Sequence, residues 1–374
     1  MKNSGLKFNY DIINLILLRK EIKMSKNLKR FFKIGLASLA FLLVASGTSV
    51  ASHASRVSTV TQRSNALTSY ISSRNLRFVH NRRYVEPNDY SDHYNRNENY
   101  DRRFNSVGGN QRVNFSPYGE LPDNYNSLMK NEGYHNPQSL VITKNGTAYV
   151  TYRVNTHGIK LVQFNIKAIQ NAQDDDANNH VHYKIGPTFN GGHGQAMAYN
   201  SKANQLWLLT NDSGSASRTS ILQLSQKTLK PIRKINFHFD TYAMPDVLTF
   251  DNAGHAYTAM RTFGGVAPVG SLKLFKGSIT NRSVKFHMVQ GLRYAPGLIM
   301  QNMSYNPSNH RIYFITDGEL MSVPANRYTH LRPRDVKATK LSGHYEFEDL
   351  AFYRHRGYLM VHCPPELMIS NHNF

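Results

Sequence analysis

Five polar residues recur at comparable places along this chain. Gln138, Gln195, Asp246, Gln301 and Glu348 each stand just ahead of a short apolar run. Brought together, amides and carboxylates of this kind bind sugar hydroxyls or a cation. A pair of acids such as Asp246 and Glu348, with Asp349 beside the latter, is what glycoside hydrolysis requires. The same side chains can equally bond to strand-end backbone groups and hold no ligand. His193 joins the candidates because it lies in Gly191-Gly192-His193-Gly194-Gln195, where flanking glycines allow it to be presented at a loop tip. His180 and His182 precede it, but the spacing matches none of the usual zinc pairs, so no metal is expected. Asp174–Asp176 with Asn178 and Asn179 lack the alternation and the glycine of a calcium loop, and read as a solvated loop. Nucleophile elbow, phosphate loop and HExxH motifs are missing from the sequence, and no cofactor is expected.

The elements that must position these residues repeat. Ala196–Tyr199 and Leu206–Leu209 are apolar β-type runs around the polar turn Asn200–Asn204, the pattern of an antiparallel hairpin. Similar units begin at Gln138, Asp246, Gln301 and Glu348. With Leu140, Met197, Leu248, Met303 and Leu350 as equivalent positions, the spacings are 57, 51, 55 and 47 residues. Each unit continues with a second strand carrying one aromatic residue: Tyr149, Trp207, Tyr257, Tyr313 or Tyr358. Third strands follow at Lys160–Phe164, Ser220–Leu224, Ser271–Phe275, Glu319–Val323 and Glu366–Ile369. A period near 50 with three or four strands per unit predicts an all-β chain, a β-propeller of five blades over residues 126–374. The aromatic residues then pack between blades, and the five polar positions ring one mouth of the central channel. Arg112–Phe115 or the stretch near Tyr125 is the candidate for closing the ring.

Ahead of the repeats lie two segments of different character. Lys26, Lys29, Arg30 and Lys33 precede the apolar run Ile34–Ala45 and a small-residue exit to Ala54, the order of a secretory signal peptide cleaved after Ala51 or Ala54. Met24 begins a more usual signal than Met1, which leaves open whether residues 1–23 are translated. Residues 55–125 hold ten Arg, no Lys and seven acids, interleaved with Asn, Ser and Tyr, and read as a disordered polar arm. With one cysteine, Cys363, the chain has no disulfide framework.

Charge is the strongest statement about partners. There are 45 Lys and Arg against 24 Asp and Glu, a net charge of +21. Basic clusters at Lys227–Lys234 and Arg327–Lys340 are expected in surface loops. An exported cationic protein meets teichoic acid, anionic lipid and wall glycan, and its attraction to them is salt-sensitive. Nucleic acid is not expected, because export separates the chain from it. No segment after the signal is apolar enough to span a membrane.

Units of the type GHGQAMAYN…LWLLT (from Gly192) and QSLVIT..GTAYVTYR (from Gln138), with an export signal and no disulfides, resemble the helveticin J-like proteins, the large class III bacteriocins of lactic acid bacteria. The resemblance covers roughly Asn136 to Asp349 and implies a secreted, cationic antimicrobial protein acting on the envelope of related Gram-positive cells. It carries over no catalytic residue. The Arg/Asn/Tyr arm departs from the family, and the tail from His362 to Phe374 suggests a shortened last blade. Two other functions remain open: a non-lytic cell-envelope or glycan-binding propeller, and a secreted glycan-cleaving enzyme using Asp246 and Glu348.

Overall fold

The computed structural model describes residues 58–60, 70–80, 103–122, 136–155, 157–172, 181–210, 219–239, 247–262, 269–297, 300–342, 346–362 and 365–374. The expected signal peptide, with its cleavage positions after Ala51 and Ala54, lies outside the described residues.

Five antiparallel sheets make a five-bladed β-propeller. Blade 1 runs outward through Asn136–Ile142, Thr147–Arg153, Gly158–Asn165 and Lys184–Ile185, with Phe189–Asn190 also on its third strand. Blade 2 consists of Ala196–Asn200, Gln205–Thr210, Thr219–Leu224 and Pro231–Phe239. Blade 3 is Thr249–Phe250, Ala256–Arg261, Leu272–Ile279 and Val284–Leu292. Blade 4 is Met300–Asn306, Arg311–Thr316, Glu319–Pro324 and Lys337–Leu341. Blade 5 supplies Glu346–Tyr353, Arg356–His362 and Glu366–Ser370 from its own repeat. The five inner strands touch one another in ring order, the fifth against the first.

Turn chemistry sets where each hairpin reverses. The side chains of Asn200, Asp251 and Asn306 accept from backbone N–H groups two residues ahead, at Lys202, Ala253 and Ser308. That local bond replaces the ladder the chain has just left. Left-handed backbone at Gly146 and Gly254 then completes the turns of blades 1 and 3.

Packing between blades explains the repeated aromatic. Each one faces the next blade round the ring. Tyr149 packs with Leu206 and Leu208 of blade 2, and Trp207 with Phe250 and Phe275 of blade 3. Tyr257 meets Met303 and Phe314 of blade 4, and Tyr313 meets Phe347 and Phe352 of blade 5. Tyr358 closes the circle on Leu140 and Val150 of blade 1. The described residues form five apolar cores, one per blade interface. No blade of this size could bury both faces alone.

The polar arm differs from expectation. Its described parts are ordered and follow the outer rim of the ring. Ser58–Val60 adds a parallel strand to Pro231–Phe239 of blade 2. Ile71 bridges Leu292 at the edge of blade 3. Helix α1 (Arg74–Val79), capped by Ser73, buries Leu76 and Val79 in the core between blades 3 and 4. Ser106–Gly109 then extends blade 4, and Phe115–Glu120 pairs with Glu366–Ser370 as the fourth strand of blade 5. The ring is therefore closed by Phe115–Glu120, overlapping the proposed Arg112–Phe115 only at Phe115, and the last blade is not shortened. An edge strand invites pairing with another chain, and this belt covers the edges of blades 2 to 5. The basic clusters are likewise not purely loops: Pro231–Lys234 lies in the fourth strand of blade 2, and Lys337–Lys340 in that of blade 4.

Candidate binding site at the channel mouth

The inner strands all start at one end of the ring, and there the structure gathers Gln138, Gln195, Gln301 and Glu348. Asp246 lies outside the described residues. Backbone register explains how these side chains are aimed. The pairing of the inner strand with its neighbour skips one residue in three blades: between Pro137 and Ser139, between Met300 and Asn302, and between Phe347 and Asp349. The residues left over are Gln138, Gln301 and Glu348. A bulge inserts one unpaired residue and re-aims its side chain, so each bulge presents a polar doublet: Gln138-Ser139, Gln301-Asn302 and Glu348-Asp349.

These doublets build two layers. In the outer layer Gln138 Nε2 lies 3.4 Å from Glu348 Oε1, and Gln195 donates its amide to Gln301 Oε1. Gln301 Nε2 in turn lies 3.4 Å from both Asp317 Oδ1 and Glu346 Oε1. Asp317 arrives from the turn between the second and third strands of blade 4, and it also accepts from Phe347 N at 2.9 Å. In the inner layer Asp349 joins blade 5 to its two neighbours, blades 1 and 4. Its Oδ2 accepts from Ser139 Oγ at 2.9 Å, Leu140 N at 2.7 Å and Asn302 Nδ2 at 2.7 Å. Its Oδ1 accepts from Leu350 N at 2.7 Å. Asn302 Nδ2 also reaches Gln195 O at 2.8 Å, so blades 1, 2, 4 and 5 are tied by one network.

Electrostatics at this mouth run against the cationic whole. Burial, with Glu346, Asp317 and Asp349 nearby, pushes the Glu348 carboxyl well above its usual range. Burial pushes Asp349 up to about 7, opposed by its backbone and side-chain donors. Gln138 is 2% exposed, and its Oε1 is buried with no hydrogen-bond partner among the described residues. An orphaned buried acceptor costs about 1–3 kcal/mol, and a hydroxyl donor brought to this ring removes that cost.

His193 stands in the turn between Phe189–Asn190 and Ala196–Asn200, half-buried, and burial and the nearby Arg153 push its imidazole pKa below the usual value. The glycines around it serve packing: a Cβ on Gly191 would stand 2.4 Å from Ile159 Cδ1, and Gly194 has φ +85°. Gly194 O accepts from Thr151 Oγ1 at 2.6 Å. His182 is exposed, while His180 and Asp174–Asp176 lie outside the described residues. Among the described residues no group of three or more His, Cys, Asp or Glu is arranged to hold a metal ion. Ser139, Asn302, Asp317 and Glu346 are members of the site that the repeat pattern did not single out.

No family model matches this chain, and no curated protein sequence does. Among solved structures it is similar to the PQQ-bound aldose sugar dehydrogenase of Streptomyces coelicolor, at 10% identity over 70% of this chain and 84% of that one, with a TM-score of 0.39.

Proposed function

We propose that this chain is an exported, non-catalytic propeller that binds a glycan of the cell envelope at its polar channel mouth. The observation that carries the reading is the buried, unpartnered Gln138 Oε1 within a ring of paired amides and carboxylates. Such a ring matches the paired donors and acceptors of sugar hydroxyls. The net charge is +21, of which +7 lies in residues 1–54, so the exported chain keeps +14 and a salt-sensitive attraction to an anionic envelope. Calorimetric titration with neutral wall saccharides tests the reading. Binding should be lost in Gln138→Leu and Gln195→Ala at unchanged melting temperature; saccharide affinity untouched by both changes would overturn it.

The resemblance to helveticin J-like proteins supports a narrower second reading, that envelope binding ends in killing of related Gram-positive bacteria. The expected result is clearing when the purified mature chain is spotted on lawns of such bacteria, and a panel without inhibition refutes that reading. Hydrolysis of the bound glycan through Glu348 and Asp246 is the enzymatic rival. It demands activity that disappears in Glu348→Gln.

A further inference from the structure

The opposite end of the channel holds a concavity of about 250 Å³, lined by the ends of the inner strands of all five blades. Its floor is the apolar plug of Leu140, Met197, Leu248 and Met303, each no more than 2% exposed. Its walls carry Tyr199, Tyr305 and Tyr353, and its rim carries Lys144 and Arg354. The rings are held in place: Tyr199 OH donates to Asn204 Oδ1 at 2.8 Å, and Tyr305 OH bonds His310 Nδ1 at 2.7 Å. Arg354 lies over the Tyr353 ring, 5.3 Å from its centroid, and both Lys144 and Arg354 are exposed.

Charge separates the two ends of the molecule. Turns and connections at this end also bring Lys202, Lys227, Lys230 and Arg282 to the surface. Two acids at this end are already engaged: Asp251 with His255 at 2.8 Å, and Asp335 with Arg327 at 3.5 Å. Asp174–Asp176, in the blade 1 connection, lie outside the described residues. The acids of the polar mouth, Asp317, Glu346, Glu348 and Asp349, stand at the other end.

We propose that this second mouth binds a phosphorylated sugar unit, the ring against the tyrosines and the phosphate between Lys144 and Arg354. The volume lies just below the roughly 300–1,000 Å³ of typical small-molecule sites, which suits one ring-sized group. Tyrosine faces offer the apolar side of a sugar a rigid surface, and a phosphate gains charge-assisted bonds from an ammonium and a guanidinium. A neutral sugar would leave both rim cations unused.

Calorimetry on the full chain with glucose 1-phosphate, glucose and inorganic phosphate as probes tests this. Glucose 1-phosphate should bind at least about tenfold more tightly than glucose or phosphate alone, the worth of one charge-assisted contact. Lys144→Gln with Arg354→Gln should abolish that advantage, and Tyr305→Ala should weaken binding with the charges intact. Gln195→Ala, at the other mouth, should leave it unchanged. A phosphate-linked wall polymer that competes with glucose 1-phosphate identifies a polymeric source, and failure to compete identifies a free sugar phosphate; both agree with the proposal. It is overturned if the double variant binds like the wild type or if glucose 1-phosphate gives no heat. Attachment to phosphatidylglycerol vesicles without sugar phosphate binding also overturns it. Loss of glucose 1-phosphate binding only in Gln138→Leu or Gln195→Ala would sink this site and leave the polar-mouth reading standing.

Discussion

Asp349 gives the sharpest test of how the channel is held. Replacing it with Asn preserves shape and removes the titration. The side chain receives three donors on one oxygen and one on the other. An amide can satisfy the three with its oxygen but then turns its NH₂ toward Leu350 N, two donors facing each other, at a cost of about 1–3 kcal/mol. The pH dependence separates this from an ordinary packing defect. Burial raises the Asp349 carboxyl from 3.8 to about 7, so folding takes up a proton between those values. The stability linked to that proton is complete below about pH 4 and lost as pH rises through 7. At about 1.4 kcal/mol per tenfold change, roughly 2–3 kcal/mol of it disappears between pH 5 and 8. Glu319, raised to about 7 by burial against the pull of Lys340 at 3.2 Å, titrates in both proteins and cancels. His362, whose proton burial drives off to about 4, also cancels. Glu348 does not cancel, because removing the Asp349 charge lowers its carboxyl and widens the difference. Urea unfolding at pH 5 and pH 8 should therefore show the wild type losing at least about 2 kcal/mol more than Asp349→Asn. Parallel pH profiles for the two proteins would refute the reasoning.

Other consequences follow from the same geometry. Trp207 is wholly buried between blades 2 and 3, so Trp207→Ala should cost about 3–5 kcal/mol in chemical denaturation. Trp207→Phe should cost clearly less, because it leaves a smaller cavity and the indole N–H it removes has no hydrogen-bond partner among the described residues. A Cβ on Gly119 would stand 1.8 Å from Ile169 O, so Gly119→Val should push the closing strand off blade 1, lower the melting temperature and speed proteolysis after Glu120. Arg311 ties blade 4 together through Ser322 Oγ at 2.9 Å, Ser322 O at 2.8 Å and Asp335 O at 2.7 Å. Arg311→Met should lower stability by about 2–4 kcal/mol, from the acceptors it leaves unpaired, with sugar binding at either mouth unchanged in calorimetry.

Parts of this molecule that depend on one repeat at a time are legible in its sequence. The aromatic on each second strand can be read because one position per hairpin must fill the gap to the next blade, whichever blade that is. Gln138, Gln301 and Glu348 could be picked out because they precede apolar anchors at a repeated spacing. Their bulges could not, because a bulge is a fact about two strands and exists only once both are in register. The polar doublets Gln-Ser, Gln-Asn and Glu-Asp were the available signal, since two polar residues in a row break strand alternation where a bulge turns both to one side. Asp317 was beyond reach for a related reason: it belongs to a turn of blade 4 and meets Phe347 of blade 5 only through the ring.

The belt was hidden more thoroughly. Its apolar side chains, such as Leu76, Val79, Phe104 and Phe115, are scattered through Arg and Asn with no period of their own. Leu76 and Val79 fill the core between blades 3 and 4, and Phe104 and Phe115 the core between blades 4 and 5, so no alternation accumulates. Hydrophobic period reports a face that one element buries continuously, and this segment touches four blades in turn. The consequence reaches the folding reaction. Phe115–Glu120 must pair with Glu366–Ser370, a pairing that spans nearly the whole propeller, so the fifth interface forms only after the last blade exists. Loop closure over that length is the slow step expected of non-local β-pairing. Removing residues up to 122 should then leave blade 5 with three strands and an open edge. Its interface with blade 1 would lack Tyr118, and its interface with blade 4 would lack Phe115. The shortened chain should unfold without a cooperative transition and associate through that edge, which light scattering alongside thermal unfolding would detect. A monomeric truncated chain with wild-type cooperativity would show that the ring closes without the belt.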